Sequence, residues 1–98
     1  MGETFRFTSA VYRWDARAAD SWYFVDVPQE QSDEIRDRPR MPRGFGSVRV
    51  RVTVGGTTWR TSIFPGRERY ALPLKKSVRS AEDLEEGDEV EVLIETLD

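Results

Sequence analysis

The chain contains no cysteine and no histidine, and these two absences remove most side-chain chemistry at the outset. Without cysteine there is no disulfide, no thiolate zinc site and no thiol nucleophile, and such a composition suits a cytoplasmic protein. Without histidine, Ser-His and Cys-His nucleophilic machinery, histidine general bases and nearly all zinc or iron sites fall away. Long apolar runs are lacking as well, and no basic-then-apolar leader precedes the first strand pattern, so neither a membrane span nor a secretory signal is expected. No cofactor fingerprint is found, and neither a cofactor nor a metal is expected.

What is present suits one folded domain over residues 1–98. A hydrophobic share of 38% with 11% aromatics is enough for a modest core, so the 34% charged content does not imply disorder. The net charge of -3 hides a polarised layout. Arg36, Arg38, Arg40, Arg43, Arg49 and Arg51 gather in the middle, whereas Glu82, Glu85, Glu86, Asp88, Glu89, Glu91 and Glu95 crowd the end. The plain reading is that the two blocks face each other or solvent; the alternative is a basic patch that steers an anion or a phosphate backbone.

Phe5 and Phe7 alternate on odd positions while Tyr12 and Trp14 continue on even ones, so a bulge is expected near Ser9 and Ala10. The polar stretch from Asp15 to Asp20 reads as a loop. Trp22 to Val27 is dense in aromatic and branched residues and reads as a strand stopped by Pro28. Proline at the first helical position and Glu30 in the first turn predict a short helix from Pro28 to Asp37, with an apolar face of little more than Ile35. The run from Arg38 to Gly46, with two prolines and two glycines, reads as irregular.

Val48, Val50, Val52 and Val54 alternate before Gly55-Gly56, the pair that a two-residue primed turn requires. Counting outward sets Val54 opposite Thr57, Val52 opposite Trp59, Val50 opposite Thr61 and Val48 opposite Ile63. The other face sets Thr53 against Thr58, Arg51 against Arg60 and Arg49 against Ser62. Two arginines across from each other repel unless an anion intervenes. Glu89, Glu91 and Glu95 of the last strand are the structural candidates for that role, and a bound phosphate, carboxylate or nucleic acid is the functional one.

From Tyr70 to Ile94 a whole supersecondary unit is legible. A strand ends at Leu72-Pro73, Leu74, Val78 and Ala81 follow at helical spacing, Gly87-Asp88 turns, and Val90, Val92 and Ile94 alternate. Strand, proline, helix occurs twice, as Val25 to Ser32 and as Tyr70 to Ser77, each with serine four residues after proline. The expected architecture is therefore mainly β: a small double-split, pseudo-twofold β-barrel of about six strands, with two short helices capping its ends.

The order Trp22-Tyr23-Phe24-Val25 before Pro28, Gly55 to Ser62, then Leu72-Pro73-Leu74-Lys75-Lys76-Ser77-Val78-Arg79 and Gly87-Asp88 resembles the bacterial family called domain of unknown function 1905. The resemblance covers nearly the whole chain. It implies a double-split barrel, and the segment from Leu72 to Val92 is also similar to swapped-hairpin transcription factors of the AbrB and MazE type. Those bind DNA as dimers; here the N-terminal half supplies within one chain what a second subunit supplies there, so a monomer is expected, with a dimer as the alternative. The family resemblance itself implies no established activity.

Three functional readings follow. The first is a noncatalytic binding or interaction module for an unknown protein or anionic ligand. The second is a DNA-binding regulator that uses the arginine face of Arg49, Arg51 and Arg60. The third is a small-molecule binder or enzyme with a pocket formed by Asp26, Trp59, Tyr70 and Arg79, Asp26 sharing a strand face with Trp22 and Phe24. A Ser77 nucleophile with Lys75 or Lys76 lacks the surrounding elbow, and Ser77 with the lysines reads better as a solvated helix face. The acids from Glu82 to Asp88 lack calcium-loop spacing and read as a solvated loop.

Overall fold

Alternation of apolar and polar residues produces seven strands, all paired antiparallel, in a computed structural model that describes residues 2–17, 20–38 and 46–97. In chain order they are β1 (Thr4–Ala10), β2 (Tyr12–Arg17), β3 (Asp20–Asp26), β4 (Val48–Val54), β5 (Thr57–Pro65), β6 (Tyr70–Pro73) and β7 (Glu89–Thr96). Helix α1 (Gln29–Asp37) lies between β3 and β4, and α2 (Lys76–Glu82) between β6 and β7. The strands form one curled sheet in the order β1-β7-β4-β5-β6-β3-β2. Its two ends are drawn together where the Ser9 hydroxyl at the end of β1 donates to the Asp26 carbonyl at the end of β3, at 2.7 Å.

The concave side is the core. Phe5, Phe7, Val25, Leu72, Val92 and Ile94 are buried there with the four alternating valines of β4. Ile35 of α1 and Val78 of α2 close its ends. In α2, Val78 is buried as the spacing predicts, Leu74 is buried just ahead of the helix, and Ala81 is exposed.

The β4–β5 hairpin has the predicted register at every position, from Val54 opposite Thr57 to Val48 opposite Ile63. Gly55 turns at φ 57° while Gly56 keeps a negative φ, the demand of a type II′ turn. A Cβ at Gly55 would also meet Glu82 Oε1 at 2.0 Å, and Glu82 accepts a hydrogen bond from the Thr57 hydroxyl at 2.6 Å.

The change of phase between Phe7 and Tyr12 is more than a bulge. At Val11 the chain leaves one half of the sheet for the other, so the first strand pattern becomes two strands. Val11 is buried; its N–H donates to the Asp88 carbonyl and its carbonyl accepts from the Gly87 N–H, both at 2.8 Å. The late Gly87-Asp88 turn thus clamps the early bend. Asp15 to Asp20 likewise holds less loop than its polarity suggests, since β2 reaches Arg17 and β3 begins at Asp20; residues 18 and 19, and residues 39–45 of the irregular Arg38 to Gly46 run, lie outside the described residues.

The proline repeat has a structural counterpart. β3 and β6 are antiparallel neighbours, and superposing Pro28 on Pro73 carries the Val25–Leu72 pair onto Tyr70 and Val27, whose N–H donates to the Tyr70 carbonyl at 2.8 Å. The same exchange relates β4 to β7. It also sets β5, which pairs first with β4 and then with β6, against β1 and β2, which pair in turn with β7 and β3. The two serines differ: Ser77 is exposed, whereas Ser32 is fully buried, donating to the Val27 carbonyl at 2.9 Å and accepting the Tyr70 N–H at 3.0 Å. Ser32→Ala leaves that buried N–H unsatisfied and is expected to cost about 2 kcal/mol, read as a lower urea midpoint with unchanged slope.

Candidate functional site

β5 and β6 pair only at Phe64–Ala71 and Pro65–Tyr70. Beyond that the strands part, because Pro73 has no N–H to offer a ladder and the next donor, Leu74 N–H, turns to the Tyr23 carbonyl at 2.8 Å. The chain then enters α2, and the gap between β5 and the start of that helix is an open pocket of about 410 Å³. Trp22, Tyr23 and Trp59 contribute rings to its lining, with Thr61, Pro73 and Leu74 between them. Arg60, Lys75, Lys76 and Arg79 supply its charge, and among the described residues no carboxylate lines it.

Arg79 is held in place from two sides. Its guanidinium lies over the Tyr23 ring, 3.9 Å from the centroid, and its Nε donates to the Leu74 carbonyl at 3.0 Å. Such stacking uses the flat cation while leaving the terminal N–H groups available to a ligand. α2 ends at Asp83, which adopts the left-handed conformation at φ 55° and lets Leu84 N–H cap the Arg79 carbonyl at 2.9 Å. Trp59 is nearly buried opposite Val52, so it forms a fixed wall.

On the convex side of β2, β3, β5 and β6 a second surface carries Trp14, Trp22, Phe24 and Phe64, flanked by Pro65, Gly66, Ala71 and Pro73. Trp14 is 56% exposed, Trp22 53% and Phe64 44%. Phe24 stacks between Tyr12 and Trp22, with centroid distances of 5.8 and 6.5 Å. Next to it a third concavity is lined by Tyr12, Asp26, Arg67, Glu68 and Arg69 among others. There the Tyr12 hydroxyl donates to Asp26 Oδ1 at 2.7 Å, and partial burial, then this hydrogen bond to a carboxylate, push the phenol well above its ordinary range.

The predicted site residues are dispersed over these surfaces. Trp59 and Arg79 meet in the split pocket, Asp26 lies in the third concavity, and Tyr70 is buried beneath the Arg36 guanidinium at 5.6 Å. Of the arginine face, Arg51 is bound to Glu95 at 2.8 Å, Arg49 is exposed, and Arg60 belongs to the pocket. Arg38 pairs with Glu3, Arg36 with Asp33 at 2.8 Å and Arg6 with Glu91 at 3.6 Å, while Arg40 and Arg43 fall outside the described residues. Lys75 and Lys76, read from sequence as a solvated face, are pocket walls, and Trp22, Tyr23 and Thr61 join them. The signal for these was Pro73 ending the β6 ladder beside a run of cations.

Among the described residues no group of three acidic side chains gathers as a metal site, and no helix is long and apolar enough to cross a membrane. No curated protein matches the chain. Its sequence fits a domain of unknown function, DUF1905, over residues 7–94, a match that runs from β1 to β7. The chain therefore belongs to the DUF1905 family.

Proposed function

We propose that the chain is a noncatalytic binding module, acting in the cytoplasm as a monomer, whose split pocket takes a small anion bearing a planar ring. The observation that carries this reading is the lining itself: among the described residues, four cations and no carboxylate around three aromatic rings. An arginine fork and two lysine ammonium groups suit a phosphate or carboxylate, and exposed ring surface at Trp22 suits a flat ligand. Binding rather than turnover is favoured because, among the described residues, the lining holds no carboxylate, histidine or thiol to move a proton near neutral pH. The reading as a duplex-DNA regulator is less well supported, since Arg51 is engaged by Glu95 and Arg60 lies at the pocket instead.

Calorimetric titration with thymidine monophosphate, thymidine and inorganic phosphate tests it. The monophosphate is expected to bind at least about tenfold tighter than either fragment, because ring and anion contacts are made together. Equal affinities for monophosphate and inorganic phosphate would remove the ring from the account, and no binding of either at low salt would remove the site.

A further inference from the structure

The three concavities are continuous. The split pocket and the aromatic surface share Trp22 and Pro73, and the aromatic surface and third concavity share Gly66 and Ala71. Together they make a stripe that starts at the split and continues over the convex side of the sheet. Among the described residues the middle is lined without a single charged one. Arg60, Lys75, Lys76 and Arg79 stand at one end, Arg67 and Arg69 at the other. Against these six cations the stripe has two carboxylates among the described residues, Asp26 and Glu68, and Asp26 already accepts the Tyr12 hydroxyl. This is a strong positive surplus in a chain whose net charge is -3.

We propose that the stripe binds a short single-stranded nucleic acid, with unpaired bases on the exposed rings and phosphates at the two basic ends. The proposal rests on the split pocket being an anion site and extends it to a polymer. Sequence-tolerant single-strand binding combines these two elements, a positive track and aromatic side chains on which bases stack. A duplex keeps its base faces covered and leaves the rings unused. An acidic peptide would use the cations but not the bare aromatic middle. A second copy docking through the same stripe would set six cations against six, so charge opposes that occupant.

Fluorescence anisotropy with a labelled twelve-nucleotide oligodeoxythymidylate, and thymidine monophosphate as competitor, is the test. The oligonucleotide is expected to bind at least about tenfold tighter than the monophosphate. Its affinity should fall with salt at a log–log slope of about -2, as for roughly three phosphates on a single strand. The Trp14→Ala, Phe64→Ala double variant, altered only in exposed side chains away from the split pocket, should lose about tenfold or more for the oligonucleotide and keep its affinity for the monophosphate. An oligonucleotide no tighter than the monophosphate overturns the extension and leaves the split pocket standing; loss of both ligands overturns both. Equal binding of a duplex overturns base stacking. A dimer in sedimentation that the double variant dissociates assigns the rings to a second copy and overturns the proposal.

Discussion

Ile94→Ala is expected to lower the free energy of unfolding by about 3 kcal/mol, the cost of a buried aliphatic truncation in a core that relaxes only in part. Ile94 is fully buried in β7, with Phe5 of β1 on one side and Val52 of β4 on the other. That position joins the early and middle segments of the chain through the last strand. The cavity therefore opens between three strands, none of which can close it without shifting the ladders of the others. At about 4–8 °C per kcal/mol for a chain of this size, the melting temperature should fall by roughly 12–24 °C. Leu93→Ala, on the opposite and partly exposed face of the same strand, is the control and should cost about 1 kcal/mol or less. A loss below about 1 kcal/mol for Ile94→Ala would mean that the curled sheet is not packed as described.

Arg79→Glu is expected to weaken binding of thymidine monophosphate about a hundredfold, equivalent to roughly 2.8 kcal/mol at 1.4 kcal/mol per decade. The change removes one of four cations and puts a carboxylate where the lining has none. It also unstacks the group from Tyr23 and takes away the donor to the Leu74 carbonyl. Arg79→Met keeps an apolar stem against Tyr23 and separates packing from charge; a loss of about tenfold is expected for it. Arg49→Glu alters an exposed residue outside the pocket lining and should move affinity by about twofold or less at physiological salt, where distant charges are screened. Equal losses for Arg79→Glu and Arg49→Glu would show that only overall charge matters.

Local geometry was the most legible part of this chain. Gly55-Gly56 has the turn chemistry that sets strand register, so each β4–β5 pair could be counted outward from it. Pro28 and Pro73 end their strands for the same reason, the missing N–H, and their repetition exposed the pseudo-twofold before any pairing was known. The bulge expected near Ser9 and Ala10 is instead a switch at Val11, because one residue of phase change looks alike in both; the difference lies in Gly87 and Asp88, which reach the bend only after folding. Ser32 was invisible as a buried group, since a polar residue on a short helix reads as solvated unless its partners at Val27 and Tyr70 are known.

The pocket was half legible for a related reason. Trp59 and Arg79 were selected for their chemistry, and both line it. Asp26 was joined to them by alternation along β3, yet alternation assigns a face and not a place along it, and Asp26 lies toward Tyr12 and the Arg67–Arg69 turn instead. What makes the pocket is a failure of pairing between β5 and β6, and hydrophobic pattern carries no sign of where two strands part. The aromatic surface has the opposite history. Tyr12 and Trp14 were read simply as strand formers and Trp22 as a neighbour of Asp26 on one strand face, while the exposure of all three comes from the lack of any layer over the convex side among the described residues.

The proposed ligand site is the split between β5 and α2, and amide-resolved NMR titration with thymidine monophosphate locates it. Saturable shifts are expected at Thr61, Leu74, Lys75, Lys76 and Arg79, with the Trp59 indole moving and Arg49 and Arg51 still. Shifts confined to the Arg49–Arg51 face, or none at millimolar ligand and low salt, would contradict it.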